Sequence, residues 1–187
     1  MPVTIYRPSV VVGDATTGAT QKYDGPYYAL QLILRQPGRT AVMPLPGDPA
    51  SVAFNLVPSD FVVDAIAALA AEPEAAGRTV ALAAPEPPSV LEMCEAFAAE
   101  AGKSLRVVPV SSRLSRFGID RMPGVGRLLR LPSSTLDYLT HPTVYDTRAT
   151  TELLERVGVR CPAFTDHVGP MVAFWSQHRE IGSAAMV

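Results

Sequence analysis

The stretch Pro2-Val3-Thr4-Ile5-Tyr6-Arg7-Pro8-Ser9-Val10-Val11-Val12-Gly13-Asp14 constrains this chain more than any other. Val3, Thr4, Ile5 and Val10 to Val12 are residues that fit a pleated, buried surface. A near-continuous apolar run of this kind is how a strand covered on both faces of a parallel sheet reads. Pro8 has no N–H for a ladder, so the strand is expected to loosen or end there. Arg7, preceding a proline, is held extended. Ligands of open α/β sheets bind beyond the carboxyl ends of the strands, which makes the Pro8-Ser9 turn the first candidate site wall. A buried parallel strand at residue 3 has nothing before it to pair with. The expectation is therefore a chain that begins mid-sheet.

At 187 residues with 48% hydrophobic content, the chain is long enough to bury a sizeable core and is globular. A net charge of −2 gives no general basic footprint for nucleic acid. No run of 18 apolar residues is present, so no membrane span is expected, and the N-terminus does not read as a signal peptide. Cys94 and Cys161 are far apart and read as free thiols of a reducing cytoplasm. His141, His167 and His178 show no metal-ligand spacing, and the last two are expected at the surface.

Along the chain, Gly13 to Gly18 is turn chemistry. Pro26 suits a first helical position before a helix from Tyr27 to Arg35. Thr40 to Leu45 and Phe54 to Val57 read as short strands. Ser59-Asp60 supplies a cap for a helix from Phe61 to Ala71, with Phe61, Ala65, Ile66 and Leu69 on one face. Arg78 to Ala84 is a strand. Ser89 and Glu92 form a capping box for a helix to Ala101, ended by Gly102. Leu105 to Val110 is a further strand, so residues 78 to 110 have the length of a βαβ crossover. Short helices are expected at Ser111–Phe117, Gly126–Leu131 and Ser133–Leu139. Thr147 caps a helix through Val157, and Asp166 starts the last one, with Trp175 in its apolar face.

Several of these stretches carry a resemblance. Pro2 to Asp14, Thr17-Gly18, Lys22 to Tyr28, Asn55 to Ile66, the Ser89 helix and Tyr145 to Pro162 resemble the C-terminal half of extended short-chain dehydrogenase/reductases. The branch is that of the fatty acyl-CoA and thioester reductases, the male-sterility type. The resemblance implies an α/β fold: the C-terminal strands of a Rossmann-type doubly wound parallel sheet plus a mainly helical substrate-binding lobe. Residues 1–110 would belong to the Rossmann-like part, with substrate-lobe segments interleaved, and residues 111–187 to the helical lobe. It also implies NADP or NAD as cofactor, bound in part by Pro8, Ser9 and Val10, and a substrate side formed by Val11, Gly13, Thr17, Tyr23 and Tyr27. Sugar-nucleotide members often carry Asn where Val10 stands. Val10 offers apolar surface and tilts the reading toward an acyl-thioester or CoA-type substrate.

The family's catalytic half is not in this sequence. There is no G-x-x-G-x-x-G; Gly118, Gly124 and Gly126 are irregularly placed. No tyrosine is followed four residues later by Lys: after Tyr6, Tyr23, Tyr27, Tyr28, Tyr138 and Tyr145 that position holds Val10, Tyr27, Gln31, Leu32, Pro142 and Ala149. No catalytic residue is assigned. The chain alone is expected to be inactive and to dock to a separate Rossmann half or to associate with itself as a homodimer. A non-catalytic binding module derived from such an enzyme is the rival reading, and a sugar-nucleotide epimerase or dehydratase fragment the third.

Plainer roles compete at each site. Pro8 and Ser9 can be a simple strand end, and Asp14, Thr17 and Lys22 ordinary loop polarity. Tyr23, Tyr27 and Tyr28 can be core aromatics. Lys103, Arg106, Arg113, Arg116, Arg121, Arg127 and Arg130 face only Asp120 in sequence; they fit a phosphate partner or a solvated helical face.

Overall fold

A computed structural model describes residues 3–110 and 144–182 of the chain. The three short helices expected within 111–139, and Arg113, Arg116, Arg121, Arg127 and Arg130, lie outside the described residues. In order, the elements are β1 (Ile5–Pro8), β2 (Val10–Val12), α1 (Pro26–Arg35), β3 (Thr40–Pro46), β4 (Leu56–Pro58), α2 (Ser59–Ala70), a 3-10 turn (Pro73–Ala75), β5 (Thr79–Leu82), α3 (Val90–Glu100), β6 (Ser104–Val110), α4 (Arg148–Arg156) and α5 (Phe164–Gln177).

The chain divides into two units interleaved in sequence. The first is Met1–Gln21, Asn55–Pro87 and Val144–Arg179; the second is Lys22–Phe54, Pro88–Thr143 and Glu180–Val187. The expected α/β class is borne out, with every strand pair among the described residues parallel: β1 with β5, β2 with β4 and β3 with β6. The expected βαβ unit over residues 78 to 110 does not form. Its two strands, β5 and β6, pair with β1 and β3 instead, and they fall in different units.

In the first unit, the register Tyr6↔Val80 and Pro8↔Leu82 puts these side chains on one face. Tyr6, Val80 and Leu82 of that face join Phe61, Ala65 and Leu69 of α2 and Leu153 and Leu154 of α4 in one apolar cluster. Each large side chain buried there contributes roughly 1.5–3 kcal/mol. The opposite face is uncovered. Ile5 is 49% exposed and Arg7 is exposed, and before the strand Val3 is 65% exposed. The expectation of a first strand buried on both faces is thus corrected: α2 and α4 cover one side only. Its end at Pro8 stands. Val12 is buried, while Val11 is 42% exposed.

The second unit is built on the seven-residue pairing of β3 with β6. Ala41, Met43 and Leu45 alternate inward from β3, where α1 and α3 pack. Pro26 stands in the first turn of α1 and Arg35 in its last. The capping box of α3 forms as read: Ser89 N–H donates to Glu92 Oε2 at 2.7 Å, and Glu92 N–H to Ser89 Oγ at 3.1 Å. These bonds hold the Glu92 carboxyl below its ordinary pKa. The cap of α2 differs from the expectation. Pro58 is the N-cap residue and Ser59 is already helical, with no side-chain cap bond.

Lys103 has a structural use. Its ammonium donates to the carbonyl of Ile33 at 3.1 Å and to that of Gln36, at the end of α1, where orphan carbonyls and the helix dipole favour a cation. It is therefore withdrawn from the basic set; Arg106 is exposed. Lys103→Met should lower the unfolding free energy by about 1–2 kcal/mol in urea titration, with loss of amide protection at the C-terminal turn of α1.

Candidate functional site

The carboxyl ends of β1, β2, β4 and β5 carry the candidate wall. Here backbone bonds leave little freedom. Ser9 N–H donates to Leu82 O at 3.0 Å and Val10 N–H to Asn55 O at 3.3 Å. Asn55 is buried at 8% exposure, and its side-chain amide is paired twice with one residue: Nδ2 donates to Ala84 O at 2.8 Å and Ala84 N–H donates to Oδ1 at 2.9 Å. Asn55 thus clamps the Ser9-Val10 step to the end of β5. Sequence reasoning assigned it no role; a polar residue at the head of the Leu56-Val57 run was the available signal.

Of the predicted cofactor residues, Pro8 is exposed at the strand end, and Ser9 and Val10 are half-buried. Ser9 Oγ is buried with no hydrogen-bond partner among the described residues, as is Tyr6 OH. Buried hydroxyls are normally paired, so Ser9 carries an unmet donor and acceptor at the strand ends.

The predicted substrate residues divide between the units. Val11, Gly13 and Thr17 are in the first, Tyr23 and Tyr27 in the second. Gly13 and Gly18 hold a tight loop. A Cβ on Gly13 would lie 2.3 Å from Gly18 O, and one on Gly18 2.1 Å from Pro170 O in α5. Within the loop, the Asp14 carboxylate accepts from Thr16 N–H at 3.0 Å, Thr17 N–H at 2.7 Å and Thr17 Oγ at 2.8 Å. The Thr17 bonds hold its pKa below the ordinary carboxylate value. Asp60 Oδ1 accepts Ala15 N–H at 2.9 Å, so Asp60 ties this loop to the first turn of α2. Thr17 is therefore engaged in shaping the loop. Tyr23 and Tyr27 are both buried, with ring centroids 5.1 Å apart. Burial pushes the Tyr23 hydroxyl up to about 12, with Tyr27 and Glu180 adding to the shift. Lys22 is ion-paired with Asp24 at 2.6 Å.

His167, expected at the surface, is fully buried. Its Nδ1 lies 3.0 Å from Ala163 O; a carbonyl only accepts, so Nδ1 carries the proton and Nε2 is left as a lone pair without a partner among the described residues. Phe164 packs edge-on against the ring at 5.5 Å. Burial lowers its pKa, while the Ala163 bond and the charges of Asp166 and Asp60 act the other way. The folded state therefore binds this proton less readily than the unfolded chain. Its contribution is complete above about pH 6.5 and is lost as pH falls below that value toward the depressed folded pKa. Urea midpoints should drop between pH 7.5 and 5.5, and His167→Phe should flatten that dependence.

Burial pushes both thiols, Cys94 and Cys161, up to about 12, which leaves them neutral and poor nucleophiles. Trp175 is core, as expected. No group of three metal-ligating side chains occurs, and no helix is long and apolar enough to cross a membrane, among the described residues. A cavity of about 170 Å³ opens beside Ala83 and Pro85, past the end of β5.

Residues 1–66 match the NAD-binding family model described as male sterility protein. The resemblance to male-sterility-type extended reductases is borne out. The terminal R domain of the myxalamid PKS-NRPS biosynthetic pathway is 27% identical, with a TM-score of 0.71, over 96% of this chain and 44% of that one. A thiolation-reductase di-domain from an archaeal non-ribosomal peptide synthetase is 14% identical, with a TM-score of 0.64, over 97% of this chain and 37% of that one. RMD from Pseudomonas aeruginosa, solved in complex with NADPH, is 15% identical, with a TM-score of 0.55, over 92% and 47%. The last two show the fold alone. No curated protein matches the chain. The chain thus spans under half the length of each of these three solved structures. The male-sterility match is to an NAD-binding family, which bears out the expected nicotinamide cofactor, and it does not favour the epimerase reading.

The residues present fit one end of such a cofactor. Ser9, with its unmet buried hydroxyl beside exposed Pro8, can hold a polar group at the strand ends. The glycine-rich turn that cradles a pyrophosphate is not in the sequence.

Proposed function

We propose that this chain supplies the substrate lobe and part of the nicotinamide wall of an NAD(P)H-dependent acyl-thioester reductase. The observation that carries the reading is the unpartnered Ser9 hydroxyl at the carboxyl end of a parallel strand pair, in a chain 27% identical across 96% of its length to an R domain. The bound cofactor supplies the hydride. Pro8, Ser9 and Val10 orient its nicotinamide end, Ser9 by hydrogen bonding and Val10 by apolar contact. Asn55 holds that step in place. Val11, Gly13 and Thr17 of the first unit are assigned to the acyl side.

The pyrophosphate cradle and the proton-donating Tyr-x-x-x-Lys pair come from a Rossmann half outside residues 1–187. The uncovered face of β1, which exposes Ile5 and Arg7, is the surface assigned to such a half. The 187-residue chain alone should not oxidise NADPH or NADH in the presence of butyryl-CoA. Joined to a Rossmann half of a male-sterility-type reductase it should do so, and Ser9→Ala should then raise KM for the cofactor about 2–10-fold, the loss of one hydrogen bond. Turnover by the isolated chain, or a Ser9→Ala variant with unchanged KM, would refute the assignment.

A further inference from the structure

The cavity past the end of β5 has a lining that specifies what it can hold, and all of it belongs to the first unit. Its apolar side is formed by Phe61 of α2, Ala83, Leu154 of α4, Val159 and Cys161. Its polar side is formed by Thr150, Thr151, Glu155 and Arg160. Thr150, in the first turn of α4, is only 7% exposed, and its hydroxyl makes none of the hydrogen bonds among the described residues. Thr150 lines the cavity, so a ligand standing there can exchange a hydrogen bond with its hydroxyl. Glu155 and Arg160 are exposed at the rim, and neither belongs to the ion pairs among the described residues, which join Lys22 to Asp24, Arg148 to Asp146 and Arg156 to Glu74.

Size and charge narrow the ligand. About 170 Å³ is close to the cavity of about 150 Å³ that takes up benzene, so the occupant has on the order of six to eight heavy atoms. Opposite charges on one rim give no advantage to a net anion or cation. They suit a neutral group that donates to a carboxylate and accepts from a guanidinium within one small unit. A primary or secondary amide does both, and a hydroxyl such as that of Thr150 serves either of its ends.

We propose that this cavity binds a short aliphatic chain bearing an amide, its hydrocarbon end against Phe61 and Leu154 and its amide among Thr150, Glu155 and Arg160. The ligand is either a free small amide or the amide-bearing arm of a thioester. The second source would extend the reductase reading, and the first stands without it.

The test is a titration of the isotope-labelled 187-residue chain followed by amide chemical shifts, with no cofactor and no turnover, so that it is independent of reductase activity. Butyramide should give saturable shifts at Thr151, Glu155 and Arg160, with Kd about 1–10 mM for so small a ligand. Butyrate should bind at least tenfold more weakly. Thr150→Val should weaken butyramide binding about fivefold while resonances elsewhere stay in place. Should that variant fail to fold, Arg160→Met, at an exposed rim position, must produce the same weakening. The butyryl thioester of N-acetylcysteamine separates the sources: tighter binding than butyramide identifies the thioester arm, and equal or weaker binding identifies the free amide. Non-saturating shifts with butyramide, equal affinity for butyrate, or indifference to the substitution that folds would overturn the proposal.

Discussion

Gly18→Ala will cost this protein roughly 2–5 kcal/mol of stability, combining a left-handed backbone penalty with the intrusion of a methyl into packed backbone. Gly18 sits at φ 71°, where an L side chain is strained. Its Cβ would fall 2.1 Å from the carbonyl oxygen of Pro170, and a helix carbonyl cannot swing aside as the tip of a flexible side chain can. Net domain stability is only about 5–15 kcal/mol, so at mid-range values the urea midpoint should fall by about a third at constant slope. Gly38 supplies the control. Its φ is 81°, yet nothing lies within 4 Å of the position its Cβ would take, so Gly38→Ala should cost only about 1–2 kcal/mol. Equal losses in the two variants would mean that the Gly13–Gly18 loop is not seated on α5 as described.

The second large effect is expected at Asn55. Asn55→Leu keeps the volume and removes both bonds to Ala84, leaving a buried N–H and a buried carbonyl unpaired at about 1–3 kcal/mol each. The loss should be roughly 2–5 kcal/mol, and hydrogen exchange should show Ala84 and Val10 amides losing protection together, since both depend on this residue. Asn55→Asp makes a sharper test. It retains the acceptor for Ala84 N–H but turns a carboxylate oxygen toward Ala84 O, so its penalty should be larger at pH 7 than at pH 4, where the acid can donate. A pH-independent penalty would contradict the paired geometry.

What the sequence disclosed, and what it withheld, follows from the range over which each interaction acts. The α3 capping box and the Pro26 start of α1 were legible because both are settled within four residues. The stop of β1 at Pro8 was legible for the same reason. Strand partners were not. Residues 78 to 110 have the period and length of a crossover, but period carries no information about which strand lies alongside, and β5 and β6 separate into different sheets. His167 reads as a surface residue by type. Its burial depends on one bond to the carbonyl four residues back and on Phe164 against its ring, neither of which the residue's polarity announces. Pro8, Ser9 and Val10 stand out in the sequence because an Arg-Pro step interrupts an apolar run, and the strand does end at Pro8. Thr17 could be named but not understood, since its hydroxyl is committed to Asp14. Asn55 stood out only as a polar residue heading an apolar run; its clamping partner could not be read, because Ala84 stands in another strand's extension.

The parallel pairings carry a consequence for how the protein is made. Ile5 must find Thr79, Val10 must find Leu56, and Thr40 must find Ser104 before any ladder exists. Each search closes a long loop whose entropy is lost before a single rung is gained, a topology that slows folding into the millisecond-to-second range. The first unit, moreover, is completed by residues as late as Arg179. A ribosome releasing about 5–20 residues per second leaves its opening strand waiting for several seconds, with Val3 and Ile5 open to any passing chaperone.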